Sequence, residues 1–145
     1  METNFEAIKS EILRRAKEAQ ACTEQYGRAY KSETIAELMN VVKDNFHWAC
    51  NYKVITVDLI EQYREDFAAN DIFVNVSVER GYLLCDSATV KAWGSATVEA
   101  CGSAYCTSYS TIECKLSENA IYRVRSTNTV YYASDELKLL KQQTT

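Results

Sequence analysis

The sequence predicts an α+β protein in which helices come first and a repetitive β region follows. Two observations indicate this fold class: apolar residues recur at helical spacing over residues 1–69, and an eight-residue pattern repeats over residues 70–133. Residues 134–145 are expected to form a short cap and tail. The length of 145 residues predicts one domain, or one domain with an appended helical piece, and the composition, 47% hydrophobic and 25% charged, is typical of a globular chain.

The first region contains capping signals and one break. Three helices are expected, over residues 4–22, 32–50 and 56–70. Thr3 opens a capping box with Glu6, and Ser32 and Thr56 have the side chains that cap the second and third helices. Gly27 predicts a break between the first two helices, because glycine disfavours a helix interior.

The β region is built on octads. Asp86–Trp93 reads DSATVKAW, and Gly94–Cys101, which follows directly, reads GSATVEAC. The same frame divides residues 70–133 into eight copies, of which the outer ones share only the apolar pattern. Positions five and seven are mostly apolar, and positions two, four and six mostly polar. This period of two predicts that each copy is a short strand with one buried face, followed by a tight corner.

Two arrangements of the octads fit this pattern. In a β-solenoid, two copies make one coil of 16 residues, and four coils stack in parallel; in an antiparallel meander, each corner is a hairpin turn. The small inward alanines favour the solenoid, which would also place Cys85 beside Cys101. After the last copy, residues 134–141 predict a short C-terminal helix that caps the stack.

Composition disfavours several functional classes. The chain has 16 basic and 20 acidic residues, for a net charge of −4, whereas direct nucleic-acid binders usually carry a basic surplus. No apolar run reaches the about 18 residues of a membrane helix, and the N-terminus does not resemble a signal peptide. These features predict a cytoplasmic protein with no membrane partner.

The residues that carry catalysis or bind metals are sparse. The six cysteines form no CxxC pair, and His47 is the one histidine. Zinc sites and Cys–His or Ser–His–Asp catalysis normally need closer ligand spacing or a better-supported histidine. No glycine-rich phosphate loop or dinucleotide fingerprint is present. We therefore expect no enzyme activity, no catalytic residue, no metal and no cofactor.

The octad frame places aromatic and basic side chains at positions expected to face outward or to lie at corners. Trp, Tyr and Arg dominate the binding energy of protein interfaces, so these residues predict a partner-binding patch. Aromatic ladders that only stabilise the sheet are the alternative interpretation. The patch comprises Trp93, Tyr105, Tyr109, Arg123, Arg125 and Tyr131.

The x-S-A-T-V-x-A octads over residues 86–101 resemble short proteins of phages and mobile elements that carry such octads after a small helical region. The resemblance implies a counter-defence role, such as that of an anti-CRISPR inhibitor. Its partner would be a bacterial defence protein, such as a CRISPR nuclease, in the cytoplasm of the bacterial host. The alternative function is a self-associating structural module of a phage or surface fibre, which leaves homo-oligomerisation open.

Overall fold

The structure is a computed structural model that describes residues 3–133, with side chains from residue 4 onward. The chain divides between Asn70 and Asp71 into two compact units, the first helical and the second built of strands. The C-terminal helix predicted over residues 134–141 lies outside the described residues, as does the side chain of Thr3 in the predicted capping box.

Six helices make up the described part of the helical unit. They are α1 (Thr3–Glu18), α2 (Thr23–Lys31), α3 (Ile35–Asp44), α4 (Phe46–Asn51), α5 (Val57–Gln62) and α6 (Arg64–Ala68). α2 packs against α1 and α3. Each of the longer helices buries one apolar stripe, as with Ile8 and Ile12 of α1 and Leu38 and Val42 of α3.

The prediction of three helices is wrong because two of them are interrupted and one was missed. α2 runs through Gly27, where the sequence predicted a break. Asn45, at φ −124° and ψ 31°, separates α3 from α4, and Tyr63, at φ −123° and ψ 44°, separates α5 from α6. Neither interruption contains Gly or Pro, the strongest signals of a helix end, and Asn45 is a weaker signal of one.

The caps differ from prediction at one helix. Thr56 caps α5 as predicted, and its Oγ1 accepts a hydrogen bond of 3.3 Å from the Leu59 amide. Ser32 instead follows the end of α2, where its hydroxyl donates to the Ala29 carbonyl. Thr34 caps α3 in its place and accepts from the Glu37 amide at 3.1 Å.

Eight strands form two sheets in the described part of the second unit, which we call the β unit. They are β1 (Ile72–Val74), β2 (Tyr82–Asp86), β3 (Thr89–Lys91), β4 (Thr97–Cys101), β5 (Tyr105–Ser108), β6 (Glu113–Leu116), β7 (Ile121–Val124) and β8 (Thr129–Tyr132). One sheet is parallel, in the order β1-β2-β4-β6. The other is mixed, in the order β3-β5-β7-β8, because β8 pairs antiparallel with β7.

The chain is α+β, but the predicted β-solenoid of four equal coils is wrong, as is the antiparallel meander. The structure has instead two four-stranded sheets, one parallel and one mixed. Paired residues are 16 apart between β3, β5 and β7, but Tyr82 pairs with Thr97 and Ile72 pairs with Tyr82. A left-handed Asn128, at φ 53°, lies in the turn that reverses the chain before β8.

The equal-coil prediction failed because the octad chemistry does not extend to the ends of the β region. Outside residues 86–125, paired residues on neighbouring strands are no longer 16 apart in sequence. The side chains that point into the core then no longer come from octad positions five and seven. Cys85 consequently pairs with Ala100, and Cys101 with Asp86, so the predicted Cys85–Cys101 register is off by one residue. Both thiols are free.

The core of the β unit lies between the inner faces of its two sheets. Leu83, Val98 and Cys114 of the parallel sheet and Cys106 and Tyr122 of the mixed sheet are fully buried in it. Positions five and seven of the octads supply the side chains of β3 to β7 that face this core. The core fixes which face of the mixed sheet points inward, and therefore which face stays available for binding.

Candidate partner-binding face

The outward face of the mixed sheet consists of cross-strand rows. Tyr105 of β5 pairs with Ile121 of β7, which pairs in turn with Tyr132 of β8. One step along the strands, Arg123 of β7 pairs with Val130 of β8. Successive side chains of a strand alternate between faces, so these residues lie opposite the buried Cys106, Tyr122 and Tyr131.

A third row follows at the corner where the strands end. Trp93, Tyr109 and Arg125 stand two residues beyond the Lys91, Thr107 and Arg123 row. The Arg125 amide donates to the Ser108 carbonyl, and the Ser126 amide donates to the Tyr109 carbonyl, so the parallel pairing continues into this corner. Trp93 is 42% exposed and Tyr109 is 62% exposed.

These rows define what we call the aromatic–basic face. Five of the six residues of the predicted partner-binding patch lie on it. The face consists of Lys91, Trp93, Tyr105, Tyr109, Ile121, Arg123, Arg125, Val130 and Tyr132.

The sixth predicted residue, Tyr131, is not on this face. It is only 5% exposed, and its ring stacks on that of Tyr122 in the core, with ring centroids 6.0 Å apart. The prediction was wrong because the octad frame does not hold through the reversal before β8. A shift of one residue turns every side chain of a strand to the opposite face.

The same shift explains the residues that sequence reasoning missed. The octad frame assigned Val130 and Tyr132 to the interior, but both are exposed, Tyr132 by 51%. The available signal was the run Thr127-Asn128-Thr129, since Asn tolerates the left-handed conformation that tight turns require. Reading a hairpin there would have placed Tyr132 outward and Tyr131 inward.

The charge of the face is positive. The Arg123 guanidinium donates twice to the Asn128 side-chain oxygen, at 2.8 and 3.2 Å, and the Arg125 guanidinium donates to Thr107 Oγ1 at 3.0 Å. Both partners are neutral. Within residues 3–133, no carboxylate lies within 4.0 Å of the charged nitrogens of Lys91, Arg123 or Arg125. Among residues 3–133, the face therefore presents three cations whose charge no ion pair neutralises.

An acidic residue at the corner before β7 is already engaged. Glu118 Oε1 accepts a hydrogen bond of 2.7 Å from the Gly102 amide. This bond satisfies the amide of a glycine in the left-handed conformation, at φ 61°. The Glu118 carboxylate therefore stabilises the backbone of this corner.

Two buried thiols of the β unit, Cys85 and Cys114, are poorly suited to act as nucleophiles. Burial raises the pKa of the Cys85 thiol to about 12 and the pKa of the Cys114 thiol well above its ordinary value. Both thiols are therefore protonated at neutral pH, and a protonated thiol is a poor nucleophile. No group of three or more His, Cys, Asp or Glu side chains within the described residues is arranged to hold a metal ion.

The size of the face suits the centre of an interface. Strands spaced by about 4.8 Å, with rows about 6.7 Å apart, give a patch roughly 14 Å on each side. A stable protein interface buries about 800 Å² per partner, and the residues that dominate its affinity cluster near its centre. Surface around the aromatic–basic face would complete the contact.

Comparison with known proteins gives no relative from which the function of this face could be inferred. No family model, curated protein or solved structure matches the chain. Among residues 3–133, no helix has both the length and the apolar character that crossing a membrane requires.

Proposed function

We propose that this protein is a non-enzymatic inhibitor that binds a bacterial defence nuclease complex in the host cytoplasm, as an anti-CRISPR protein does. The observation that carries the binding part of the proposal is the aromatic–basic face. It combines exposed Trp93 and Tyr109 with Arg123 and Arg125, whose charges no described carboxylate neutralises. The nuclease target comes from the resemblance of the octads to phage and mobile-element proteins.

The face has the properties that make a protein surface bind tightly. Aromatic rings and guanidinium groups contribute large contact areas and directional hydrogen bonds. The backbone that carries them is a hydrogen-bonded sheet, so little backbone freedom remains to be lost on binding. Arg123 and Arg125 are already held by Asn128 and Thr107, which limits the loss of side-chain freedom as well.

The charge of the face specifies its partner surface. Lys91, Arg123 and Arg125 have no carboxylate partner among the described residues, so they attract a surface that carries carboxylates, and this complementarity accelerates association. The partner surface on the nuclease complex is therefore an acidic protein patch. Such binding would inhibit by blocking a movement or an assembly step of the complex.

Affinity capture tests the proposal. Tagged wild-type protein is incubated with lysate from a bacterium that carries active defence nucleases, and the retained proteins are identified by mass spectrometry. The double variant Tyr109→Ala/Arg123→Ala removes one ring and one cation from the face. The control Tyr30→Ala/Arg80→Ala removes an exposed tyrosine and an exposed arginine elsewhere, since Tyr30 is 64% exposed and the Arg80 side chain 72%.

We expect wild type and control to retain a nuclease or its guide complex in stoichiometric amount and to inhibit its DNA cleavage. The face variant should retain neither property. Equal capture by the face variant would show that another surface binds. A large self-assembled species in sedimentation, without any captured nuclease, would instead support the structural module.

A further inference from the structure

The helical unit contains a cavity that the proposed function does not use. It lies among α1, α2, α3 and α4 and has a volume of about 160 Å³. Its walls are almost entirely apolar, with Ile12, Leu38 and Val42 among the buried side chains that form them. Tyr26 and Trp48 add aromatic surface to the wall.

Small side chains maintain the cavity. Four alanines line it: Ala16, Ala21, Ala29 and Ala49. A larger aliphatic residue at any of these positions would fill part of the space. In another protein, an engineered apolar cavity of about 150 Å³ stays free of water and binds benzene or xenon. The space available here is therefore that of a single aromatic ring with a small substituent.

Two amide side chains, Gln25 and Asn45, are the polar part of an otherwise apolar lining. Asn45 Nδ2 donates to Gln25 Oε1 at 2.9 Å and to the Val41 carbonyl at 2.8 Å. Gln25 Oε1 also accepts from Arg28 NH1 at 2.9 Å, which fixes the orientation of both amides. Asn45 Oδ1 takes part in no hydrogen bond within the described residues, and it remains as an acceptor on a residue that lines the cavity.

We propose that this cavity binds a small neutral aromatic compound that carries one hydroxyl or N–H group, of the size of phenol or indole. The ring lies against Ile12, Leu38 and Val42, and the donor hydrogen bonds to Asn45 Oδ1. Apolar walls with one placed polar group are the usual design of small-molecule sites. The site is in the helical unit and shares no residue with the aromatic–basic face.

Cys22 provides a direct readout of occupancy. Its thiol is exposed and lines the cavity, whereas Cys50 of the same unit is buried. Alkylation of Cys22 by iodoacetamide is followed by mass spectrometry in the full chain, with increasing phenol or indole. We expect saturable protection, with the rate reduced about fivefold or more when the site is filled. Amide shifts in NMR spectra should localise to the cavity, including the Asn45 side-chain amide.

Two variants serve as controls. Ala16→Leu fills the buried end of the cavity and Ala21→Leu fills its half-exposed rim, so at least the rim variant should fold normally. Either folded variant should lose protection of Cys22 and the localised shifts. Absence of protection and of shifts in the wild type up to the solubility limit would overturn the proposal. Unchanged protection in a folded filling variant would do so as well.

Discussion

Two adjacent octads of nearly the same sequence have different surroundings in the two sheets. Asp86–Trp93 and Gly94–Cys101 differ at three of eight positions, yet the first supplies β3 of the mixed sheet and the second β4 of the parallel sheet. β3 buries only Val90 of its three residues. β4 is buried on both faces: Val98 and Ala100 lie in the core, and Glu99, on the opposite face, is 4% exposed.

The difference shows that the octad determines a strand but not the surroundings of its outer face. Lys91 and Glu99 occupy the same octad position, and Lys91 is exposed whereas Glu99 is buried. The parallel sheet places Glu99 beside Lys115, its register partner on β6. The mixed sheet leaves Lys91 on an open face with two arginines. The sheet with the open outer face is therefore the one on which we place the proposed partner.

The prediction with the largest expected effect tests whether the inner faces of the two sheets form one core that excludes water. Burial raises the pKa of Cys85 from 9.0 and the pKa of Tyr122 from 10.0, each to about 12, and it also raises the pKa of Cys114. The unfolded chain releases these protons at the ordinary pKa values, and the folded chain retains them. Stability is therefore complete below about pH 9 and is lost as the pH rises toward 12.

Urea unfolding measures this loss. The Trp48→Phe variant leaves Trp93 as the one tryptophan, so its fluorescence follows the β unit. Each unit of pKa shift is worth about 1.4 kcal/mol, so we expect several kcal/mol to be lost between about pH 9 and pH 12. A constant unfolding midpoint over this range would mean that the thiols are not buried between the sheets.

The second prediction exchanges the charges at octad position six. Glu99→Lys places a cation at a buried site beside Lys115, so we expect the free energy of unfolding to fall by about 3 kcal/mol or more. Lys91→Glu is the matched change on the exposed strand and should alter stability by no more than about 0.5 kcal/mol. Equal effects in thermal denaturation would contradict the difference between the two outer faces.

The third prediction compares inner and outer tyrosines of the mixed sheet. The Tyr122 hydroxyl shares a hydrogen bond with Ser108 Oγ at 2.5 Å and accepts one from the Ile112 amide at 3.0 Å. Tyr122→Phe leaves the buried amide without this partner and should cost about 1–3 kcal/mol. Tyr105→Phe, on the outer face, should cost less than about 0.5 kcal/mol. Chemical denaturation of both variants measures the contrast, and a similar cost for both would contradict it.

The last prediction concerns the stability of the face variant used in the capture experiment. Tyr109→Ala/Arg123→Ala removes an exposed ring and an exposed hydrogen bond to Asn128, so the free energy of unfolding should change by less than about 1 kcal/mol. The melting temperature should stay close to that of the wild type. A large fall would support the alternative that the aromatic residues of this face stabilise the sheet.

The sequence predicts the interior of the octads well and their ends poorly. Alternation alone identifies Val90, Val98 and Cys106 as inward, because a strand has only two faces. It does not identify the reversal at Asn128, which turns Tyr131 inward. A repeat frame carries no information about where a chain changes direction.

The helical unit shows a similar limit. The cap at Thr56 can be predicted from the sequence because its hydrogen bond to the Leu59 amide lies within one helix turn. The interruptions at Asn45 and Tyr63 depend on how neighbouring helices pack, and no residue at either position is a helix breaker. The cavity among α1 to α4 is likewise a property of packing, since alanines that line it have the same helix propensity as alanines elsewhere.

Phage plating on an immune host tests the central claim, inhibition through the aromatic–basic face, most directly. A bacterium with active CRISPR immunity expresses the wild type, the face variant Tyr109→Ala/Arg123→Ala or the control Tyr30→Ala/Arg80→Ala at equal levels. We expect the wild type and control to restore plating of the targeted phage and the face variant to leave immunity intact. No restoration by the wild type, or equal restoration by the face variant, would contradict the account.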